Sequence, residues 1–333
     1  SAQNRLDNIK NNVGEASISG SANNGNVEGY VNVGGIAGFA FNGSIASSYN
    51  LGNITTTRKA SDGTAQINLG GILGDSTEHG IGRIVLYDVY NKGQVGSQEY
   101  TKFYGRHVGG IVGRLSGLVE RAYNVGDIYN GFNVVGGIVG YWYTGAIRNV
   151  FNTGNITVVS PGMAGTSEVG GIAGGANVGA ENDTDGTWKP MILSNVYNLG
   201  IIRSYASDNN TVGGLIGELV NYGPHNNSDN KQLQISNGYS VGRLYKNNGE
   251  KNGGTAGAII GKFRNGTSAK DVTMQNLYYI ESDDKKSDGT SVGFVATNNL
   301  AGDSSYKNKG NGYTVISAAQ SKKQDSYKGL HFS

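Results

Sequence analysis

A short kernel recurs along most of the chain and constrains the fold more than any other feature. Its clearest copy runs Val-Gly-Gly-Ile-Val-Gly over Val108–Gly113 and resumes as Ala-Tyr-Asn-Val-Gly-Asp-Ile over Ala122–Ile128. Other copies of the first half are Val33–Gly38, Leu69–Gly74, Val135–Gly140, Val169–Gly174, Val212–Gly217 and the weaker Ala256–Gly261. The spacing ranges from 27 residues (Gly109 to Gly136) to 44 residues (Gly213 to Gly257). A constant kernel with variable spacing indicates one structural unit that carries insertions of different length.

Each copy places apolar residues at three fixed positions, which we call columns. The first column, after the glycine pair, is Ile36, Ile72, Ile111, Ile138, Ile172, Leu215 and Ile259. The second is Ile45, Leu86, Val119, Ile147, Leu193, Ile235 and Met274, and the third is Ile54, Val95, Ile128, Ile156, Ile202 and Leu244. β-Branched residues dominate, and no helical period persists in the repeats. The pattern predicts an all-β protein, a parallel β-helix (β-solenoid) of roughly eight coils with three short strands per coil.

Two polar or aromatic positions of the kernel also repeat. An asparagine ladder is expected from Asn50, Asn91, Asn124, Asn152 and Asn198, because a side-chain amide carries both a donor and an acceptor. A second asparagine set is Asn149, Asn195, Asn237 and Asn276, and the aromatic position is Tyr49, Tyr90, Tyr123, Phe151, Tyr197 and Tyr239. We expect each set to stack along the solenoid. In the Tyr-Asn-x-Gly turn, positive φ is expected for asparagine and glycine. At the glycine pair, a bulge or a close backbone approach is expected.

The pattern fades near the end of the chain. Repeats are assigned to residues 1–300, and a small cap with a short helix is assigned to residues 301–333. Ser291–Ala296 reads as a degenerate strand and Tyr313–Ile316 as a further strand. Ser317–Gln320 has the sequence of a capping box that opens a helix reaching about Asp325. Total helix is therefore expected to be under ~10 % of the chain.

Composition excludes several functional classes. The 27 basic and 25 acidic residues leave a net charge of +2, which predicts no nucleic-acid partner. No apolar run approaches the ~20 residues that span a bilayer, so no membrane insertion is expected for this segment. The chain has no cysteine, which is typical of large exported bacterial surface proteins. Secretion or display on the bacterial surface is the expectation.

Sequence motifs give no support to catalysis. None of the four histidines lies in an HExxH motif, and no GxSxG elbow is present. Acids inside the kernels are few (Asp88, Glu120 and Asp127), and their offsets differ between coils. We therefore predict no catalytic residues, no cofactor and no enzyme. A weak Ca²⁺ candidate is the Asn182–Gly186 segment, with Asp183 and Asp185 as ligands, although Ile192 stands where such a loop carries its glutamate.

Insertions occur at two places in the unit, and loops on a rigid scaffold commonly carry binding function. One set precedes the glycine pair: Thr57–Asn68, Ser97–His107, Val159–Glu168, Tyr205–Asn210 and Lys246–Gly253. The other set follows it: Asp75–Arg83, Gly175–Met191 and Glu218–Gln234. The binding residues predicted from aromatic content in or near these insertions are Tyr100, Phe103, Tyr104, Trp142, Trp188 and Tyr222. These aromatics could equally serve only to cover the side of the solenoid.

The kernel followed by [YF]NxGxI resembles the GLUG repeat of bacterial surface proteins. Such repeats occur in filamentous-haemagglutinin-like adhesins and beside the peptidase domain of IgA1-specific metallopeptidases. The resemblance covers about residues 23–261, and the closing Tyr327–Phe332 is similar to the end of GLUG arrays, with Leu330 where tryptophan is common. It implies a non-enzymatic adhesin segment, a rigid rod whose corner loops bind a host glycan or protein. The alternative is an accessory β-helical region of an exported peptidase or polysaccharide-active enzyme.

Overall fold

The computed structural model describes most of the repeat region. The described residues are 16–58, 67–77, 83–99, 105–130, 133–159, 167–178, 190–205, 210–221, 233–247, 255–264, 267, 272–280, 292–294 and 313–316. All regular structure in them is β-strand, and no helix occurs among them. The helix predicted from Ser317 onward lies outside the described residues.

Thirty strands follow one another in coils. An opening half-coil holds β1 (Ser17–Ser19), β2 (Ala22–Asn23) and β3 (Val27–Gly29). Coil 1 is β4 (Asn32–Gly34), β5 (Ala37–Phe39), β6 (Asn42–Asn50) and β7 (Ile54–Thr56). Coil 2 is β8 (Asn68–Gly70), β9 (Leu73–Asp75), β10 (Arg83–Asn91) and β11 (Val95–Gly96). Coil 3 is β12 (His107–Gly109), β13 (Val112–Asn124) and β14 (Ile128–Asn130).

Later coils repeat the same order. Coil 4 is β15 (Val134–Gly136), β16 (Val139–Asn152) and β17 (Ile156–Val158). Coil 5 is β18 (Ser167–Gly170), β19 (Ala173–Asn177), β20 (Met191–Asn198) and β21 (Ile202–Ser204). Coil 6 is β22 (Asn210–Gly213), β23 (Ile216–Val220), β24 (Leu233–Ser240) and β25 (Leu244–Asn247). Coil 7 is β26 (Thr255–Gly257), β27 (Ile260–Arg264) and β28 (Val272–Ile280), and β29 (Val292–Phe294) and β30 (Tyr313–Ile316) follow.

Equivalent strands of successive coils pair in parallel and form three sheets. Among the described residues, sheet A has 15 strands, nine of them along the path β1-β6-β10-β13-β16-β20-β24-β28-β30, while sheet B has eight and sheet C has seven. Register joins equivalent kernel residues, for example Ile128 with Ile156 and Gly109 with Gly136. The predicted parallel β-helix is therefore confirmed. Coils 3 and 4 carry one long strand in sheet A, whereas this strand is divided in two in coils 1, 2, 5, 6 and 7.

The end of the described chain differs from a simple further coil. β29 confirms a strand within the predicted Ser291–Ala296, but it pairs antiparallel with β25. β30 confirms the strand at Tyr313–Ile316 and adds in parallel to β28. Among the described strands, the β25–β29 pairing is the only antiparallel one. The remainder of the predicted cap, residues 317–333, lies outside the described part of the chain.

The apolar columns form two separate cores. The first and second columns line one core, in which Ile111, Val119 and Leu115 are fully buried within sheet A. The third column packs with the valine of the kernel in a second core between sheets B and C, as for Ile128 and Val108. Each column stacks on itself from coil to coil, so the apolar area withdrawn from water grows with every coil added.

Glycine pairs let sheet C and the first part of sheet A approach each other closely. A Cβ added at Gly110 would lie 2.2 Å from the carbonyl oxygen of Gly137 and 2.4 Å from Cγ of Asn124. Gly113 similarly faces the backbone of Leu69, with its amide nitrogen 2.8 Å from the added Cβ. We call this tight turn, from the sheet C strand into sheet A, the glycine arch. The predicted close approach at the glycine pair is confirmed.

Positive φ occurs at other positions than those predicted. Gly126 in the Tyr-Asn-x-Gly turn has no positive φ, and it is glycine because a Cβ would lie 2.0 Å from the oxygen of Gly93. Asn124 is also not among the positive-φ residues. The left-handed backbone instead recurs two residues before the aromatic, with φ of 45–55° at Ser47, Asp88, Arg121, Asn149, Asn195, Asn237 and Asn276, so the second asparagine set occupies this position in coils 4 to 7. The prediction for the Tyr-Asn-x-Gly turn was wrong because two different constraints select glycine. One is a left-handed backbone, and the other, which applies here, is a neighbouring atom too close to admit a Cβ.

The asparagine ladder is confirmed and runs through the interior. Each Nδ2 donates to Oδ1 of the next coil at 2.6–2.9 Å, in the order Asn23, Asn50, Asn91, Asn124, Asn152 and Asn198. Each amide also donates to a glycine carbonyl two residues along its own chain, for example Asn124 to Gly126 at 2.8 Å. Since the ladder is buried, its amides satisfy backbone groups that water does not reach.

Asn124→Ala is expected to lower the free energy of unfolding by about 1–3 kcal/mol, since it leaves buried partners unpaired. The carbonyl of Gly126 and Oδ1 of Asn152 each lose a donor, and Nδ2 of Asn91 loses an acceptor. Urea denaturation measures the change, with the exposed Asn24→Ala as a matched control. Equal midpoints for the two variants would show that the ladder contributes nothing to stability.

Candidate functional site

Two adjacent columns at the open side of the glycine arch carry five of the buried ionisable side chains of the described repeats: Asp75, His107, Arg114, Glu168 and Glu218. The first column, in sheet C, is Asn68, His107, Val134, Glu168 and Thr211. The second, in sheet A, is Asp75, Arg114, Tyr141, Gly175, Glu218 and Lys262. Nδ2 of Asn68 donates to Oδ2 of Asp75 at 2.9 Å, so the columns touch. We call these residues, with Arg264, the polar stripe.

The insertions begin and end beside this stripe. Connections from sheet B to sheet C end where the first column starts, and connections within sheet A begin just after the second column. Among the described strands of coils 2 to 6, the regular strand order is interrupted only at these two connections. Both predicted insertion places are therefore confirmed. The segments themselves, including 100–104, 179–189 and 222–232, lie outside the described residues. The polar stripe is thus the part of the solenoid that both insertion families adjoin.

In coils 2 and 3 the stripe is a network of neutral and paired groups. Asn68 donates to Asp75 and to Asn32, so its oxygen accepts from Nδ1 of His107 at 2.7 Å. Burial and then the charge of Arg114 hold the pKa of His107 well below its usual value, so the ring is neutral at neutral pH. Burial raises the pKa of Asp75, opposed by hydrogen bonds from Thr77 and by Arg114.

In coils 5 to 7 the stripe holds two carboxyl groups against one guanidinium. Glu168 and Glu218 are 5 % and 0 % exposed, and Arg264 contacts both of them. Nη2 of Arg264 donates to Oε1 of Glu168 at 3.0 Å, and its Nε contacts Oε1 of Glu218. Burial, followed by the charge of Glu218, raises the pKa of Glu168 to about 8. Burial also raises the pKa of Glu218.

This arrangement does not match a hydrolytic carboxylate pair. Glu168 and Glu218 both contact the guanidinium of Arg264, whereas the two carboxyls of a glycosidase stand ~5 Å or more apart with open space for the sugar between them. Within the described residues, no group of three or more His, Cys, Asp or Glu side chains is placed to hold a metal ion. The stripe is therefore suited to hold neighbouring coils together and to position the insertions.

The burial of Trp142 contradicts its prediction as a binding residue. It was predicted as a binding aromatic because it follows a glycine-rich strand, but its side chain is 0 % exposed and belongs to the sheet A core. Nε1 of Trp142 donates to the carbonyl of Thr144 at 3.1 Å. Gly145, three residues further along the same strand, has a φ of 100°. Trp142 offers no ring face to a ligand.

The other predicted binding and metal residues lie outside the described residues: Tyr100, Phe103, Tyr104, Asp183, Asp185, Trp188 and Tyr222. They remain predictions. The kernel acids have structural partners, which agrees with their irregular offsets. Asp88 pairs with Arg121 at 2.6 Å, Glu120 accepts from Arg148 at 3.0 Å, and Asp127 accepts from the backbone of Asn155.

The kernel aromatics stack as predicted on the outer face of sheet A. Successive rings from Tyr49 through Tyr239 are 4.8–5.0 Å apart and within 4° of parallel. Each inner ring is covered on both faces by its neighbours, so only ring edges reach solvent. A sugar ring stacks on an aromatic face, and this ladder therefore favours a structural role.

In the described part of the chain, no helix is long and apolar enough to cross a membrane.

Comparison with known proteins identifies no family for this chain. No protein-family profile, no curated protein and no solved structure matches this chain.

Proposed function

We propose that this chain is a non-enzymatic segment of a secreted or surface-anchored bacterial adhesin. It acts as a rigid rod that presents its inserted segments to a host glycan or protein. One observation carries the proposal: successive coils keep the same parallel register, with the asparagine ladder continuous through coil 5 and the stacked rings through coil 6, while the length of the insertions beside the polar stripe varies. A scaffold with constant coils and variable corners is typical of a protein whose specificity resides in its loops.

The rod itself supports this role through its rigidity. Nine strands along the main path of sheet A give eight steps of ~4.8 Å, a rod of about 40 Å. Buried asparagines and stacked aromatics tie each coil to the next, so a load applied along the rod is distributed over many hydrogen bonds. The net charge of +2 gives no electrostatic attraction to nucleic acid.

The resemblance to GLUG repeats supports the same proposal. The kernel continues through all seven coils, which is what a repeat array of an exported surface protein would show. The polar stripe, with its two carboxyls bound to Arg264, gives no separate support to the polysaccharide-active alternative.

Replacing the segments 98–104, 179–189 and 222–232 by short Gly-Ser linkers tests the proposal. Coils 3 and 4 cross the sheet A position without an insertion, so the last two junctions can close without one. We expect binding to a glycan array or to cultured host cells to be lost, while thermal stability is retained. Tyr123→Phe on the bare coil is the matched control and should bind normally. Unchanged binding after removal of all three segments contradicts the proposal, and hydrolysis of a polysaccharide by the wild-type chain would favour the enzymatic alternative.

A further inference from the structure

Arg264 joins three coils at one end of the polar stripe. Its guanidinium lies on β27 of coil 7, yet it donates to Glu168 on β18 of coil 5, 96 residues earlier, and contacts Glu218 on β23 of coil 6. Glu168 adjoins the segment 160–166, Glu218 adjoins 222–232, and Arg264 adjoins 265–266. The cluster is therefore placed where three connecting segments leave the rod.

Glu168 and Glu218 are both buried and both contact Arg264, so ionising both carboxyls would carry a large desolvation penalty. As anions, Glu168 Oε2 and both oxygens of Glu218 would be buried with no hydrogen-bond donor in good geometry. A single proton held between the two side chains supplies that donor and removes one negative charge. The remaining anion is then balanced by Arg264, which makes a neutral, satisfied cluster.

Three cations act on the carboxyl pair, and the neighbouring positions on β15, β19 and β22 are the uncharged Val134, Gly175 and Thr211. Arg264 and Lys262 act on Glu218 from β27, and Arg106, which precedes β12, acts on Glu168. The ring of Tyr141 on β16 lies beside Gly175, in the space that the carboxyl of Glu168 also borders. The cations favour ionisation, but burial and the neighbouring carboxyl outweigh them, and the pKa of Glu168 is raised to about 8.

We propose that Glu168, Glu218 and Arg264 form a proton-dependent latch, which locks coils 5 to 7 when the carboxyl pair holds a proton and loosens their insertion-bearing corner when it does not. Its effect on ligand presentation rests on the proposed function, whereas the latch itself does not. Because the pKa of Glu168 is raised on folding, the stability that its proton contributes is fully present below the usual glutamic acid pKa of ~4.3 and is lost as the pH rises through about 8.

If the latch exists, the melting temperature depends on pH, and the isosteric substitution Glu168→Gln removes this dependence. The melting temperature of the wild-type chain should fall between pH 6 and pH 9. Glu168→Gln should remove most of this fall, because the amide donates to Glu218 at every pH and does not titrate. The exposed Glu28→Gln is the matched control and should keep the wild-type slope.

Hydrogen–deuterium exchange shows which coils loosen when the carboxyl pair loses its proton. In wild type, amides of β22, β23 and β27 should exchange about tenfold faster at pH 9 than at pH 7 after correction for the intrinsic rate, and those of β13 should not. In Glu168→Gln the acceleration should be absent. Identical pH slopes for wild type and Glu168→Gln, or equal acceleration in β13 and β23, would overturn the latch. Loss of ligand binding on removal of the insertions tests the proposed function separately, since the latch is measured without a ligand.

Discussion

Gly137→Ala is expected to lower the free energy of unfolding by about 3 kcal/mol or more, because the added methyl has no space to occupy. Gly137 lies in the glycine arch of coil 4, and a Cβ there would lie 2.0 Å from the oxygen of Gly171 and 2.6 Å from Cγ of Asn152. Neither group can withdraw, since the carbonyl belongs to the next coil and the amide is held in the buried ladder. Coils 4 and 5 must separate to admit the methyl.

Gly25→Ala is the matched control for this substitution. A Cβ at Gly25 meets only Oδ1 of Asn23, at 4.0 Å, and the residue is exposed. Its free energy of unfolding should stay close to that of wild type or rise slightly, because alanine restricts the unfolded chain. Urea denaturation followed by circular dichroism measures both variants. A Gly137→Ala midpoint equal to that of Gly25→Ala would show that the arch is looser than described here.

Trp142→Ala is expected to cost about 3–5 kcal/mol, the range for removal of a large buried aromatic side chain. The ring is 0 % exposed, and the variant would leave a cavity beside Leu115 and Ala176, its register partners in coils 3 and 5. The same substitution decides between a core role and a binding role for this residue. Thermal denaturation is the measurement.

Trp142→Phe separates packing from hydrogen bonding. Phenylalanine keeps most of the buried area but removes the donor to the carbonyl of Thr144. The expected loss is about 1–2 kcal/mol, clearly less than for alanine. A Trp142→Ala variant that keeps wild-type stability and loses ligand binding would restore Trp142 as a contact residue and contradict its burial.

Residue spacing was enough to predict how the coils stack. Once the kernel is aligned, every column follows, because strands of successive coils pair in parallel and in register. The ladder through Asn124 and the ring stack through Tyr123 were predictable for the same reason: identical side chains recur at identical positions. Such arguments specify which residues are neighbours along the rod.

The spacing of kernel residues along the sequence predicts less about the path of the chain within a single coil. Trp142 was predicted to bind a ligand because it directly follows a kernel strand, and the spacing of the kernel does not show that this side chain lies in the sheet A core. Gly126 was assigned a positive φ because a left-handed backbone and a close carbonyl select the same residue. Both errors concern the path of the chain within a coil, which depends on how the two parts of sheet A fold over their core.

The polar stripe could have been found from the sequence by its offsets. Apart from Arg264, its ionisable members stand two residues before or five residues after the first glycine position of the kernel, as with His107, Arg114, Glu168, Glu218 and Lys262. Residue type varies along the two columns, so no single motif repeats. Only the glycine arch shows that the two offsets meet, since it folds the sheet C strand against the start of sheet A.

Disulfide formation between introduced cysteines tests the parallel, in-register stacking most directly, since the chain has no cysteine of its own. Thr157 pairs with Arg203 in sheet B, and Arg203 pairs with Tyr245 one coil further on. Adjacent strands place Cα atoms ~4.8 Å apart, within disulfide range, whereas two coils place them ~10 Å apart, beyond it. Mass spectrometry of the oxidised full chain should show a bridge in the Thr157→Cys/Arg203→Cys variant and none in Thr157→Cys/Tyr245→Cys. Equal bridging in both variants, or a bridge only in the second, would contradict the β-helix and the register on which every proposal here depends.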